Sequence, residues 1–251
     1  MSRPSFLRKL RKYVAALPAL AFGFMGSPAF STIVTIDASG VIAGSTSASF
    51  LGATLTSVGG KFTKSDTTGT NPRTVIGVSK GYLDKEVDLS DEAITLDFGP
   101  LGAKVSEITL GLLFRNGVSG NVVDEAAELL SNGGTGCASG VIMPCILSAA
   151  GVWRGSPASV TTLSPATAGN GGIFKITNPF PVSPGSPNGE LISSILFNPR
   201  NIFGVGAANS DFALVSVVFD TNAVLVPEPE TLTLVSLGML GLAFAGRRAR
   251  G

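Results

Sequence analysis

The sequence contains no histidine, only two cysteines, one tryptophan and two tyrosines among its 251 residues. Each scarcity excludes something. Without imidazole the chain lacks the usual general base of a nucleophilic hydrolase. Zinc wants four ligands, and two thiols with no histidine do not supply them. One tryptophan, Trp153 in GVWRGS, and one tyrosine outside the first segment, Tyr82, leave little aromatic surface for stacking sugars. Charge is scarce too: Asp, Glu, Lys and Arg make up 14% of the chain, against about 25% in an ordinary soluble domain. A hydrophobic fraction of 44% nevertheless argues against disorder. What is abundant is glycine, 32 residues, and proline, 15. Turns are therefore frequent and long helices disfavoured.

The formal charge of +1 hides a segregation. Arg3, Arg8, Lys9, Arg11 and Lys12 crowd the first segment, and Arg247, Arg248 and Arg250 crowd the last. Between residues 30 and 226 stand 10 basic and 15 acidic residues, a net of −5. Such a body does not attract phosphate backbones, so no nucleic-acid partner is expected.

The basic start MSRPSFLRKLRK runs into the apolar VAALPALAFGFMG, followed by Ser27-Pro28-Ala29. That is the three-part layout of a secretory signal peptide over residues 1–29. Cleavage is expected after Ala29, with Ala29-Phe30-Ser31 as a second frame and an uncleaved anchor as the alternative. Export in turn decides the reading of Cys137 and Cys145, which stand eight apart in a glycine-rich segment. In an oxidising compartment they are expected to form one disulfide.

Residues 30–225 are predicted to be all-β, a β-sandwich or jelly-roll-like body. Strands with one buried face alternate with period two. Ile94, Leu96 and Phe98 alternate with Thr95 and Asp97, and ten residues on Ile108, Leu110, Leu112 and Phe114 are expected to share a face. The link GPLGAKVS is rich in turn formers, which predicts that these two strands pair as neighbours in one sheet. The run Asp211–Phe219 is apolar on both faces and suits a central strand. Further strands are expected at Thr32–Asp37, Thr74–Ser79, Gly172–Thr177 and Glu190–Phe197. The segment from Val122 to Leu130 fits a helix, with Val123, Ala126, Ala127 and Leu130 on one face, as well as it fits a strand.

Three features invite a chemical reading. Gly77-Val78-Ser79-Lys80-Gly81 matches G-x-S-x-G, but a nucleophile elbow needs a strand-to-helix turn and a base beside the serine. The expectation here is a strand ending in a glycine turn. Asp84, Glu86 and Asp88 imitate the opening ligands of a calcium loop, after which Leu89 and Thr95 break the pattern. They are candidate calcium ligands or, as a charged edge, a guard against strand-to-strand aggregation. Any pair among the acidic residues could be set against a sugar, yet fifteen acids guarantee some pair by chance. Trp153 is either a core or loop anchor or an exposed stacking surface. The protein is not expected to be an enzyme, and no cofactor is expected apart from calcium.

The chain ends on VPEPETLTLVSLGMLGLAFAGRRARG. Pro227 and Pro229 hold the chain extended around Glu228. Thr231–Gly246 then supplies sixteen mostly apolar residues, about 24 Å of helix at about 1.5 Å per residue. Arg247, Arg248 and Arg250 would keep the far end cytoplasmic, with the body outside. Physical reasoning leaves two readings, a short permanent anchor or a temporary stop awaiting cleavage. Residues 226–251, with PEP, an apolar helix over 231–246 and a terminal RRAR, resemble the PEP-CTERM sorting signal of Gram-negative bacteria. The resemblance implies an exosortase-type enzyme as partner, cleavage near Pro227-Glu228-Pro229, and passage through the inner membrane to the cell surface or the medium. It also implies an association with exopolysaccharide and biofilm matrix. GLLFRNG, ITNPF and SDFALVSVVF are similar to segments of β-rich bodies in the same group. The expected function is thus a sorted, non-enzymatic surface or matrix protein. A carbohydrate- or calcium-binding module is the alternative, and a hydrolase comes last.

Overall fold

Segments that alternate apolar and polar residues, broken every few positions by glycine, have no route to burial except as strands stacked in sheets. A computed structural model describes residues 32–67, 72–79, 86–88, 91–115, 124–132, 145–155, 158–167, 170–180, 191–200 and 211–221. These hold fourteen strands. In the first half of the chain they are β1 (Thr32–Asp37), β2 (Ser47–Phe50), β3 (Ala53–Val58), β4 (Lys61–Asp66), β5 (Thr74–Ser79), β6 (Ala93–Asp97) and β7 (Ala103–Leu113). The second half adds β8 (Ala126–Ser131), β9 (Cys145–Ser148), β10 (Trp153–Arg154), β11 (Ser159–Ser164), β12 (Gly172–Thr177), β13 (Ser194–Pro199) and β14 (Ala213–Thr221). Among the described residues the one helical element is a 3-10 turn, Ala38–Gly40.

The strands form two antiparallel sheets of seven. The first runs β11-β12-β7-β14-β5-β4, with β1 also pairing β14; the second runs β10-β9-β8-β13-β6-β3-β2. One apolar cluster draws on both. Ile36, Phe62, Ile108, Leu214 and Phe219 come from the first sheet, and Leu55, Ile94, Leu96, Leu129 and Phe197 from the second. Phe98 and Phe219 link the two, their ring centroids 4.8 Å apart and tilted by 59°. Each fully buried phenylalanine contributes about 1.5–3 kcal/mol relative to exposure.

The expected strands Thr32–Asp37, Thr74–Ser79 and Gly172–Thr177 are present with those bounds. The doubly apolar run near the end is β14, flanked by β7 on one side and by β1 and β5 on the other. The segment that fits helix and strand equally is a strand from Ala126 onward. There Ala127, Leu129 and Ser131 point inward while Glu128 and Leu130 lie half-buried. Pairing to β9 and β13 satisfies its backbone on both sides, which outweighs helical propensity.

Two expectations are corrected. β6 and β7 are not neighbours: β6 pairs β3 and β13 in the second sheet, and β7 pairs β12 and β14 in the first. Their connection is a corner, closed by Gly102 N–H donating to the Gly99 carbonyl at 3.2 Å. Nor do Ile108, Leu110, Leu112 and Phe114 share one face. Leu113, not Leu112, joins the main core. The register explains it: Gly172 faces Leu113 and Phe174 faces Leu110, so Ile173 alone opposes two residues of β7. This bulge holds Leu112 at a φ of 58° and flips every later side chain to the other face.

The first sheet also has an apolar outer face. Val75, Ile173, Ala213 and Val215 form a second buried cluster with Leu112 and Leu163 against it. The second sheet turns Thr54, Thr56, Thr95 and Asp97 outward. Between sheets the chain crosses from β3 to β4 through Gly59 and Gly60. Gly59 has a φ of +80°, and a β-carbon there would lie 2.3 Å from the Asp91 carbonyl oxygen, so only glycine fits.

Candidate functional site

The tail is attached to the body by β14, and the structure describes that junction. β14 ends at Thr221 and β1 begins at Thr32, and these two residues are register partners. The Thr221 hydroxyl donates to the Thr32 carbonyl at 3.3 Å. The chain therefore enters and leaves the body at neighbouring points on one sheet. Five residues, 222–226, separate Thr221 from Pro227, which is at most about 20 Å of extended backbone. Phe30 and Ser31 are all that would precede β1 after cleavage behind Ala29.

The β2–β3 hairpin closes over this junction. Its Gly52 has a φ of +74°, and a β-carbon there would meet the Thr221 methyl at 2.8 Å. On the far flank Ala103 faces Thr221 across the β7–β14 ladder. The junction is thus enclosed by backbone on three sides.

Pro227, Glu228, Pro229, Arg247, Arg248, Arg250, Asp84 and Cys137 lie outside the described residues, as do the segments 1–29 and 231–246. Cys145 opens β9, is fully buried and takes part in a disulfide. Glu86 and Asp88 flank Val87, which exchanges both backbone hydrogen bonds with Phe212, at 2.7 and 3.2 Å. Residues 86–88 are therefore tied down as an extra rung just ahead of β14. The Asp88 N–H donates to Glu92 Oε2 at 3.3 Å, directing that carboxylate at backbone. Among the described residues no three acidic or cysteine side chains converge as a metal would require.

Ser79 of the G-x-S-x-G stretch is the last residue of β5, buried and opposite Lys61 of β4. Lys80 and Gly81 lie outside the described residues. Trp153 stands half-buried on the edge strand β10 and packs against the main core.

Sequence reasoning missed one polar side chain of consequence. Glu125 is 1% exposed, its Oε2 accepting from Phe114 N–H at 2.7 Å while its own N–H donates to the Phe114 carbonyl at 3.0 Å. This carboxylate closes the end of β7, where the ladder stops. The signal was present as an alternation, because Glu125, Ala127, Leu129 and Ser131 are two apart and a strand places all four inward. Elsewhere two partly buried ion pairs are formed. Arg200 binds Glu128, and Lys175 lies 3.3 Å from Glu107. Asp37 caps the 3-10 turn, its Oδ1 accepting from Ser39 N–H at 2.8 Å. The Ser39 hydroxyl chiefly holds this carboxyl below its usual range; partial burial opposes it, and the Ser39 and Gly40 N–H groups and the Lys64 charge assist.

The described body is all-β, and its first and last strands, β1 and β14, pair at the ends from which the chain continues. The particular segment is identified by comparison: residues 225–249 match the family model described as the PEP-CTERM protein-sorting motif. That motif is the recognition signal for exosortase processing, and it implies an exported protein sorted at the membrane toward the cell surface. No curated protein and no solved structure matches the chain.

Proposed function

We propose that the protein is a non-enzymatic surface or matrix component, a β-sandwich body delivered by its tail and retained in exopolysaccharide or biofilm matrix. The observation that carries this reading is the sorting motif at residues 225–249. It lies behind a chain that opens with a basic and then apolar segment. In this reading the apolar stretch over 231–246 halts the chain in the inner membrane. Arg247, Arg248 and Arg250 stay on the cytoplasmic side. Exosortase cuts near Pro227-Glu228-Pro229, where two prolines keep the backbone extended and open to an enzyme.

C-terminal peptide mass spectrometry on protein from the native envelope and medium tests it. Chains ending near Pro227–Pro229 are expected. Chains retaining Arg247–Gly251 in the membrane fraction would make the tail a plain anchor. The reading requires no cofactor, so millimolar calcium should leave the melting temperature unchanged. A rise that Glu86→Gln and Asp88→Asn together remove would instead make the body a calcium-binding module.

A further inference from the structure

The body exposes seven large hydrophobic side chains among the described residues, and four of them surround the point where the chain leaves. Ile33, 75% exposed, is next to Thr32 and faces Asp220. Leu51, 65% exposed, is at the tip of the β2–β3 hairpin, whose Gly52 lies against Thr221. Leu101, 56% exposed, is in the corner leading to Ala103, the register partner of Thr221. Leu191, 49% exposed, has its Cβ 3.3 Å from where a β-carbon would stand on Gly102 of that same corner. The other three, Ile42, Val58 and Val152, lie at the opposite end of the strands.

Exposed isoleucine and leucine grouped at one place mark a surface that meets something apolar. The occupant follows from the length of chain beyond. Nine residues, 222–230, separate Thr221 from the apolar stretch that starts at Thr231, at most about 30 Å of extended backbone. Headgroups fill about 5–7 Å on each side of a bilayer, so a body on this tether is held within reach of the lipid surface. Charge is balanced across the nearest ladder position, where Lys104 faces Asp220.

We infer that the exit end of the body, through Ile33, Leu51, Leu101 and Leu191, rests on the lipid interface while the tail is in the membrane. The inference depends on the proposed membrane role of the tail.

The test places single tryptophans in a Trp153→Phe background of the full chain. The chain is reconstituted in phosphatidylethanolamine–phosphatidylglycerol vesicles whose acyl chains carry a shallow doxyl quencher. Leu51→Trp and Leu101→Trp are expected to lose most of their emission, and Ile42→Trp at the opposite end to keep it. Leu237→Trp reports the tail independently. Quenching at Leu237→Trp with none at Leu51→Trp or Leu101→Trp overturns the docking and leaves the membrane tail intact. Quenching at the rim alone overturns the membrane role of the tail and, with it, the tethered docking; quenching nowhere overturns both. A dimer in detergent that Leu51→Lys dissolves would assign the rim to a second copy and overturn the lipid contact. All three body positions are exposed, so far-ultraviolet circular dichroism is expected to be unchanged by the substitutions.

Discussion

The two sheets share a core but differ in their outer faces. The first sheet buries Val75, Ile173, Ala213 and Val215 on the side away from the core. The second turns threonines, Asp97, Glu128 and Asn198 outward, with Leu130 and Leu196 half-buried among them. The central strand of each shows the same contrast. β14 reads Ala-Leu-Val-Ser-Val-Val-Phe with its first three residues buried in succession, whereas β13 alternates. Burial on two faces needs a near-continuous apolar run, and burial on one needs only every second residue. The first sheet is therefore the part of the body that tolerates polarity least.

Substitutions can break this comparison or sharpen it. Phe219→Ala and Phe197→Ala remove equivalent inner-face rings from the two sheets, and each should cost about 3–5 kcal/mol in denaturant unfolding. A large inequality between them would mean the core is not shared evenly. On the outer faces the sheets should diverge. Val215→Asp buries a carboxylate and is expected to cost at least about 3 kcal/mol, whereas Leu196→Asp, partly exposed, lets the carboxylate reach water and should cost less, about 1–2 kcal/mol. Equal costs would abolish the distinction between the sheets. Glu125→Ala strands the Phe114 N–H and should cost about 1–3 kcal/mol. Glu125→Gln, which keeps an acceptor, should recover much of that.

The smallest effect is expected at Asp37. Asp37→Ala should cost about 0.5–1 kcal/mol at neutral pH, in line with loss of a cap. The carboxyl is held below its usual range in the folded state. Its stabilisation is therefore present above the unfolded value of about 3.9 and disappears as pH falls through the lower folded value. Unfolding of wild type and Asp37→Ala should converge in that acidic window, and a difference that persists below it would assign the effect to packing.

Local pattern was legible where one rule governed it. β1, β5 and β12 are short runs rich in β-branched residues between turn formers, and their bounds follow from those breaks. Partner choice was not legible, because it depends on the path between strands. β6 and β7 have compatible patterns and a short link, yet the Gly99–Gly102 corner sends them to different sheets. The face reversal at Leu112 was equally hidden, since a bulge is a mismatch between two strands and leaves no mark in one. The sorting tail was legible for the opposite reason. Its recognition depends on linear order, with prolines, apolar stretch and arginines each acting through composition before any folding. The rim around Thr221 combines residues from four separate stretches of chain, and only the register brings them together.

The pairing of Thr32 with Thr221 also sets a sequence of events. A ladder closed across a separation of 189 residues is as non-local as this body allows, and non-local pairing is slow to form. In an exported chain β1 emerges first, and its neighbour β14 emerges last, immediately ahead of the tail. Until then β1 has no partner among the described strands, and the first sheet lacks its central strand. Completion of the first sheet is thereby tied to the arrival of residues 213–221, immediately ahead of the sorting motif at 225–249.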